Sequence, residues 1–187
     1  MRFTNNRPIP ESDFHENHPN WIKLKPTEAL AFKAILIGLV LTYTTALLIR
    51  ISGASPKYEL NILRHAYLLL FIIPLHELLH LVLFPKPFNA IIGFSLKHFA
   101  FFVSTNEVIT KNRLLLTYLS PLFFLTFLTL ASGIYLGSNL LINISLLNLL
   151  ATGGDIIGFI NLLKKPSGTL IRYNGTDAYI RDTNTMA

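Results

Sequence analysis

The sequence contains no cysteine. That excludes a disulfide framework, a thiolate-ligated zinc site and a thiol nucleophile. Charge is also scarce. Only 14% of the 187 residues are Asp, Glu, Lys or Arg, against about 25% in an ordinary soluble domain. A coiled coil needs more charge than this, and a disordered chain needs far less hydrophobicity. What fills the space is apolar: 51% of residues are hydrophobic and the mean hydropathy is +0.48. These values fit an integral membrane protein with short polar ends.

Acids are fewer than bases, 10 against 16, giving a formal net charge of +6. In a soluble protein that imbalance would suggest nucleic acid. Here the placement of the cations explains it better. A membrane-spanning helix needs about 20 mostly apolar residues. Four segments qualify, at about 28–51, 62–84, 114–136 and 139–163. The last two are joined only by Gly137 and Ser138, so they form an antiparallel pair. If both termini are cytoplasmic, 13 of the 16 cations fall inside, leaving only Arg50, Lys57 and Arg64 outside. The positive-inside rule favours that orientation.

The expected fold is therefore an all-α polytopic membrane protein with four transmembrane helices. Residues 1–27 form a cytoplasmic N-terminal segment, 28–163 the membrane domain and 164–187 a cytoplasmic tail. The segment Ala90–Val103, rich in Ile, Phe and Val, reads as a short β segment in the second loop. Thr105-Asn106-Glu107 reads as the start of the helix that enters the third span. In the tail, Asn174-Gly175 between β-prone runs predicts a hairpin. His15 and His18 read as solvated histidines of the N-terminal segment.

The chemistry sits in the second span. Residues 76–80 read His-Glu-Leu-Leu-His. Positions i and i+4 share one face of an α-helix, so His76 and His80 can bind one metal ion. Glu77 is not placed to chelate beside them, but its carboxylate can serve as general base to an attacking water. Random placement in a chain of this composition would produce the pattern about 0.006 times. The setting sharpens it, because a charged group inside an apolar span costs roughly 2.5–3.5 kcal/mol on insertion scales.

A catalytic zinc site usually has three protein ligands, and the motif supplies two. Glu59, His65, His98 and Glu107 lie at or beyond the ends of the spans. Asp155, after Thr152-Gly153-Gly154, is the only acid inside the other three spans proper. The two glycines predict a kink and a close helix approach. Counting along ideal helices puts His76 and His80 about 21 and 27 Å from the start of their span, and Asp155 about 24 Å from the start of its own. The three share a level. Asn148, seven residues before Asp155, either points into the site or bonds to a neighbouring helix.

A His-Glu-x-x-His on one membrane helix with a distant Asp on another resembles the site-two protease class of intramembrane metallopeptidases. The small size, the four spans, Ser120-Pro121 in the third and Gly153-Gly154-Asp155 resemble a narrower group, the small zincin-type membrane peptidases found largely in bacteria. The Asn-Pro-Asp-Gly element of the larger enzymes is replaced here by Thr-Gly-Gly-Asp. The resemblance implies Zn2+ held by His76, His80 and Asp155, Glu77 as the catalytic base, and a membrane-protein or peptide substrate met in the bilayer of a bacterial cell membrane. The competing expectation is a non-catalytic metal-binding membrane scaffold or ion-handling protein. A transporter fits less well, because the spans show no repeat and only one polar cluster. No nucleic-acid partner is expected.

Overall fold

The first apolar run forms one uninterrupted helix, α1 (Leu30–Ser52). It stops at Gly53, whose φ of 63° is a left-handed conformation that glycine takes without a Cβ penalty. The second run begins as a 3₁₀ segment, Leu63–Leu68, and continues as α2 (Leu69–Val82) with Pro74 inside it. The third opens as α3 (Lys111–Pro121), widens into a π-helix over Leu122–Leu128 and closes as α4 (Thr129–Leu136). The fourth is broken into α5 (Asn139–Ala151) and α6 (Gly153–Leu163), which are bent by 53°. The break falls at Thr152, beside the glycine pair. The computed structural model describes residues 2–4, 20–25, 29–54, 63–95, 100–174 and 177–182.

Among the described residues, three helical stretches, Leu30–Ser52, Arg64–Val82 and Lys111–Leu136, are long and apolar enough to cross a membrane, and the bent α5–α6 pair makes a fourth if it counts as one span. The fold is mostly helical but not all-α. Among the described residues, two sheets accompany the helices. One has the order β1 (Arg2–Thr4), β3 (Ile91–Ser95), β4 (Ala100–Ser104), with β1 parallel to β3 and β4 antiparallel to it. The other has the order β2 (Ile22–Lys23), β7 (Asp177–Asp182), β6 (Thr169–Asn174), β5 (Ile109–Thr110), antiparallel throughout. The β segment of the second loop and the C-terminal hairpin are thus present, and the hairpin has gained a strand on each side.

The expected helix start at residues 105–107 is corrected. Thr105 Oγ1 accepts the Glu107 N–H at 3.2 Å, forming a local turn. Ile109–Thr110 then pairs with Leu170–Ile171, and α3 begins only at Lys111. Glu107 instead ties its loop down. It accepts from Lys86 Nζ at 3.1 Å on both carboxylate oxygens and from Asn89 Nδ2 at 3.1 Å. The Asn89 hydrogen bond, followed by that from Lys86, holds its carboxyl below the usual carboxylate range.

The chain divides into two compact units, residues 29–76 with 118–159, and residues 1–28, 77–117 and 160–187. In the first, α5 is central and buried on nearly every side, with Ile142, Asn143 and Ser145–Leu149 all enclosed. Its Ile142, Leu146 and Leu149 pack with Ala46 and Ile49 of α1. Small residues let the backbones approach. A Cβ on Gly153 would lie 1.9 Å from the Ala34 carbonyl oxygen, and one on Gly38 would lie 2.3 Å from that of Leu150. Thr42 Oγ1 donates across the same contact to the Leu146 carbonyl at 3.1 Å.

In the other unit Trp21 and Tyr179 form a small core with Leu170. Arg181 lies 5.2 Å over the Trp21 ring, and Lys23 pairs with Asp177 at 2.5 Å. Two cations of the first turn of α3 bond to helix ends. Arg113 donates from Nε and Nη2 to the carbonyls of Leu83 and Phe84, just past α2, at 2.6 and 2.8 Å. Lys111 Nζ donates to the Leu163 carbonyl at 3.1 Å and to that of Lys165, at the end of α6. Lys111 thus satisfies a carbonyl that the C-terminus of α6 leaves over, and both cations sit where a helix dipole is negative.

Gly153→Ala places a methyl against backbone that cannot rotate away, so it should destabilise the chain by about 1–3 kcal/mol. Gly154→Ala, with nothing within 4 Å of its Cβ, should not; thermal unfolding of the two variants in detergent checks the contrast. A lowered folded-state pKa at Glu107 stabilises above the unfolded carboxylate pKa and loses that contribution as pH falls through the folded one. Glu107→Gln should therefore flatten the stability curve on the acid side and leave its slope above neutrality unchanged, as read by melting temperature against pH.

Candidate metal centre

Helical periodicity places His76 and His80 one turn apart on α2, and both side chains are buried, at 5% and 8% exposure. Each ring is held by its Nδ1. His76 Nδ1 donates to Asn148 Oδ1 at 2.9 Å. The orientation of that amide follows from its other end, because Asn148 Nδ2 donates to the Pro121 carbonyl and to Thr126 Oγ1, each at 3.0 Å. Asn148 is fully buried on α5. His80 Nδ1 donates to the Thr117 carbonyl at 2.8 Å. An imidazole with its proton on Nδ1 offers a lone pair at Nε2, the usual arrangement of a histidine that binds metal.

Asp155 meets the other end of the His76 ring. Its Oδ2 lies 3.0 Å from His76 Nε2. A carboxylate oxygen is an acceptor, and so is the Nε2 of a ring whose Nδ1 donates. Two acceptors at that distance repel unless a cation lies between them. A proton would make this an imidazolium–carboxylate pair, but that leaves the second oriented imidazole without a purpose. The ligand atoms of His76, His80 and Asp155 all lie within 4.8 Å of one another, so the three can hold one metal ion. Two neutral imidazoles and one carboxylate suit zinc.

The expected trio is therefore together. Asn148 uses its oxygen toward the site and its amide toward the neighbouring helical segment, so both readings of that residue hold. Glu77 is half-buried on α2, next to His76. Glu107 sits in the ion pair with Lys86 rather than with the histidines. His65 lies in the 3₁₀ segment, its ring 6.3 Å from that of Tyr67. His15, His18, Glu59 and His98 fall outside the described residues. The sequence reading missed Thr117 and Thr126. Thr117 acts through its carbonyl, which leaves no mark on residue type, and Thr126 lies in a π-helical turn that shifts the facing pattern by one residue.

A family model described as "Putative zincin peptidase" matches residues 69–170, more than half of the chain. No curated protein and no solved structure matches. The match contains His76, Glu77, His80 and Asp155, and zinc is the cofactor that zincin chemistry implies. From that match and the metal-compatible trio within it, the chain belongs to the zincin peptidase family that this model describes.

Proposed function

We propose that the chain is a membrane-embedded zinc metallopeptidase that hydrolyses a peptide bond within or beside the bilayer, in the manner of the site-two protease class. The observation that carries this reading is the 3.0 Å approach of the Asp155 carboxylate to a His76 ring whose other nitrogen is already committed to Asn148. In this reading His76, His80 and Asp155 hold zinc. When bound, zinc acts as a Lewis acid that acidifies a water and polarises the scissile carbonyl.

The chain's own groups do the rest. The Glu77 carboxylate takes the proton of the attacking water and passes it to the leaving amine nitrogen. Asn148 and the Thr117 carbonyl keep both rings in one tautomer. A helical substrate hides its carbonyls, so it must be extended at the cleaved bond. The strand β4 ends its sheet, with no further strand paired to it among the described residues, and offers backbone groups to an extended segment.

The apolar helices support the bilayer setting. Leu36, Leu39, Val40, Leu47 and Leu48 of α1 are exposed, as are Phe123, Phe124 and Phe127 of the π-helical segment. An exposed apolar surface of this extent suits lipid. The cation distribution favours an orientation with both termini in the cytoplasm. The three-membered donor set, counted among the described residues, favours a catalytic over a closed structural site, since a structural zinc has four protein ligands.

Metal analysis of the purified protein should find about one zinc per chain. His80→Ala and Asp155→Ala should each lose most of it; full retention in both would remove the site. Glu77→Gln should keep its zinc but lose cleavage of single-span peptides in proteoliposomes by about 10²–10⁴-fold. Cleavage by that variant at the wild-type rate would make Glu77 a bystander. Zinc retained by a wild-type protein that cleaves none of a broad peptide panel would favour the metal-binding scaffold.

A further inference from the structure

The proline of the third apolar run bears on both imidazoles. In an α-helix the carbonyl of residue i accepts from the N–H of residue i+4. The helical partner of the Thr117 carbonyl would be the N–H of residue 121, and residue 121 is proline, which has none. That carbonyl accepts from His80 Nδ1 at 2.8 Å. The carbonyl of Pro121 itself accepts from Asn148 Nδ2 at 3.0 Å, and the Oδ1 of the same amide accepts from His76 Nδ1 at 2.9 Å. One residue thus stands one step behind each hydrogen bond that fixes a histidine ring, through its missing donor on one side and its acceptor on the other.

The surroundings suit this role. Pro121 is buried, as are Thr117, Ser120 and Thr126. Water therefore offers the His80 Nδ1–H little alternative to the Thr117 carbonyl. Thr117 Oγ1 donates back to the Arg113 carbonyl at 2.9 Å, so the hydroxyl does not compete for the ring. The π-helix begins at Leu122, directly after the proline. Its wider turn brings Thr126 Oγ1 to the Asn148 amide beside the Pro121 carbonyl. The two acceptors together fix which way that amide faces.

We infer that Pro121 is a positioning residue for the metal centre: its lack of an N–H yields the Thr117 carbonyl to His80, and its carbonyl orients Asn148 toward His76. The inference rests on the reading of His76 and His80 as zinc ligands. A proline confined to bending the helix would predict something different. Its removal would then raise helix stability and leave the histidines alone, since proline is the poorest helix former.

The test is Pro121→Ala in the full-length protein, read by two measurements. The first is long-range ¹⁵N–¹H NMR of histidine-labelled, metal-free protein in micelles. In the wild type both rings should show the Nδ1–H tautomer. In the variant the new N–H of residue 121 competes for the Thr117 carbonyl, so the His80 signal should move toward a mixture of tautomers. The His76 signal should stay, because the carbonyl of residue 121 remains; this distinguishes the effect from general damage.

The second measurement is zinc affinity by competition with a chromophoric chelator. It should weaken by about 10–100-fold, the usual cost of losing an outer-shell partner. Unchanged His80 tautomer and unchanged zinc affinity in Pro121→Ala would overturn the inference. Should that variant fail to fold, an Nε2–H tautomer at His80 in the wild type would overturn it and the Nδ1–H tautomer would support it. A wild-type protein that takes up no zinc would remove the peptidase reading and with it the metal-centre role, while the tautomer measurement would still decide whether Pro121 yields the Thr117 carbonyl to His80.

Discussion

Two acceptor atoms set 3.0 Å apart in a buried environment impose the constraint on which the centre depends. The Nε2 of His76 and the carboxylate of Asp155 can stay that close only with positive charge between them, provided the Nδ1 of the ring is a donor. That proviso is met by a chain of partners. Asn148 presents its oxygen to the ring because its amide is engaged by Pro121 and Thr126. Asn148 can reach these groups because α5 is central to its unit and enclosed on nearly every side. Burial costs a polar network dearly when a member is left unsatisfied, and the same burial makes a satisfied one rigid.

The break at Thr152 serves the same end. Asn148 lies on α5 and Asp155 on α6, seven residues apart in sequence, and they meet opposite nitrogens of one imidazole. The 53° bend re-aims the chain after Asn148 so that Asp155 comes to Nε2. Gly153 permits the bend to be packed, because its missing side chain admits the Ala34 carbonyl. Gly153 therefore contributes to the placement of Asp155 through backbone packing rather than through any side chain of its own.

Much of this was legible in the sequence, for physical reasons that differ between elements. The histidine pair was readable because helical periodicity is local and fixes which residues share a face. Asp155 was readable because an acid inside an apolar run is costly and this chain has one outside the motif span. The hairpin over residues 169–182 and the strands around residue 93 announce themselves through β-branched runs and a turn. The pairing of Arg2–Thr4 with β3 and of Ile22–Lys23 with β7 does not, since a two- or three-residue strand has no periodicity to detect. The start of α3 was misplaced because Thr105 caps a turn with the chemistry that caps a helix. The acceptor of His80 was illegible as a residue type, because every residue has a carbonyl; only a proline four positions on marks it.

The first turn of α3 has a mechanical meaning beyond capping. Arg113 grips the end of α2, and Lys111, two residues earlier, grips the end of α6. These are the helices that carry the paired histidines and the aspartate. Their ends share a single fastening less than one helical turn long, so slack in that turn would loosen both at once. A displacement of residues 111–113 would therefore pull on the two helix ends in step instead of prising one away from the other.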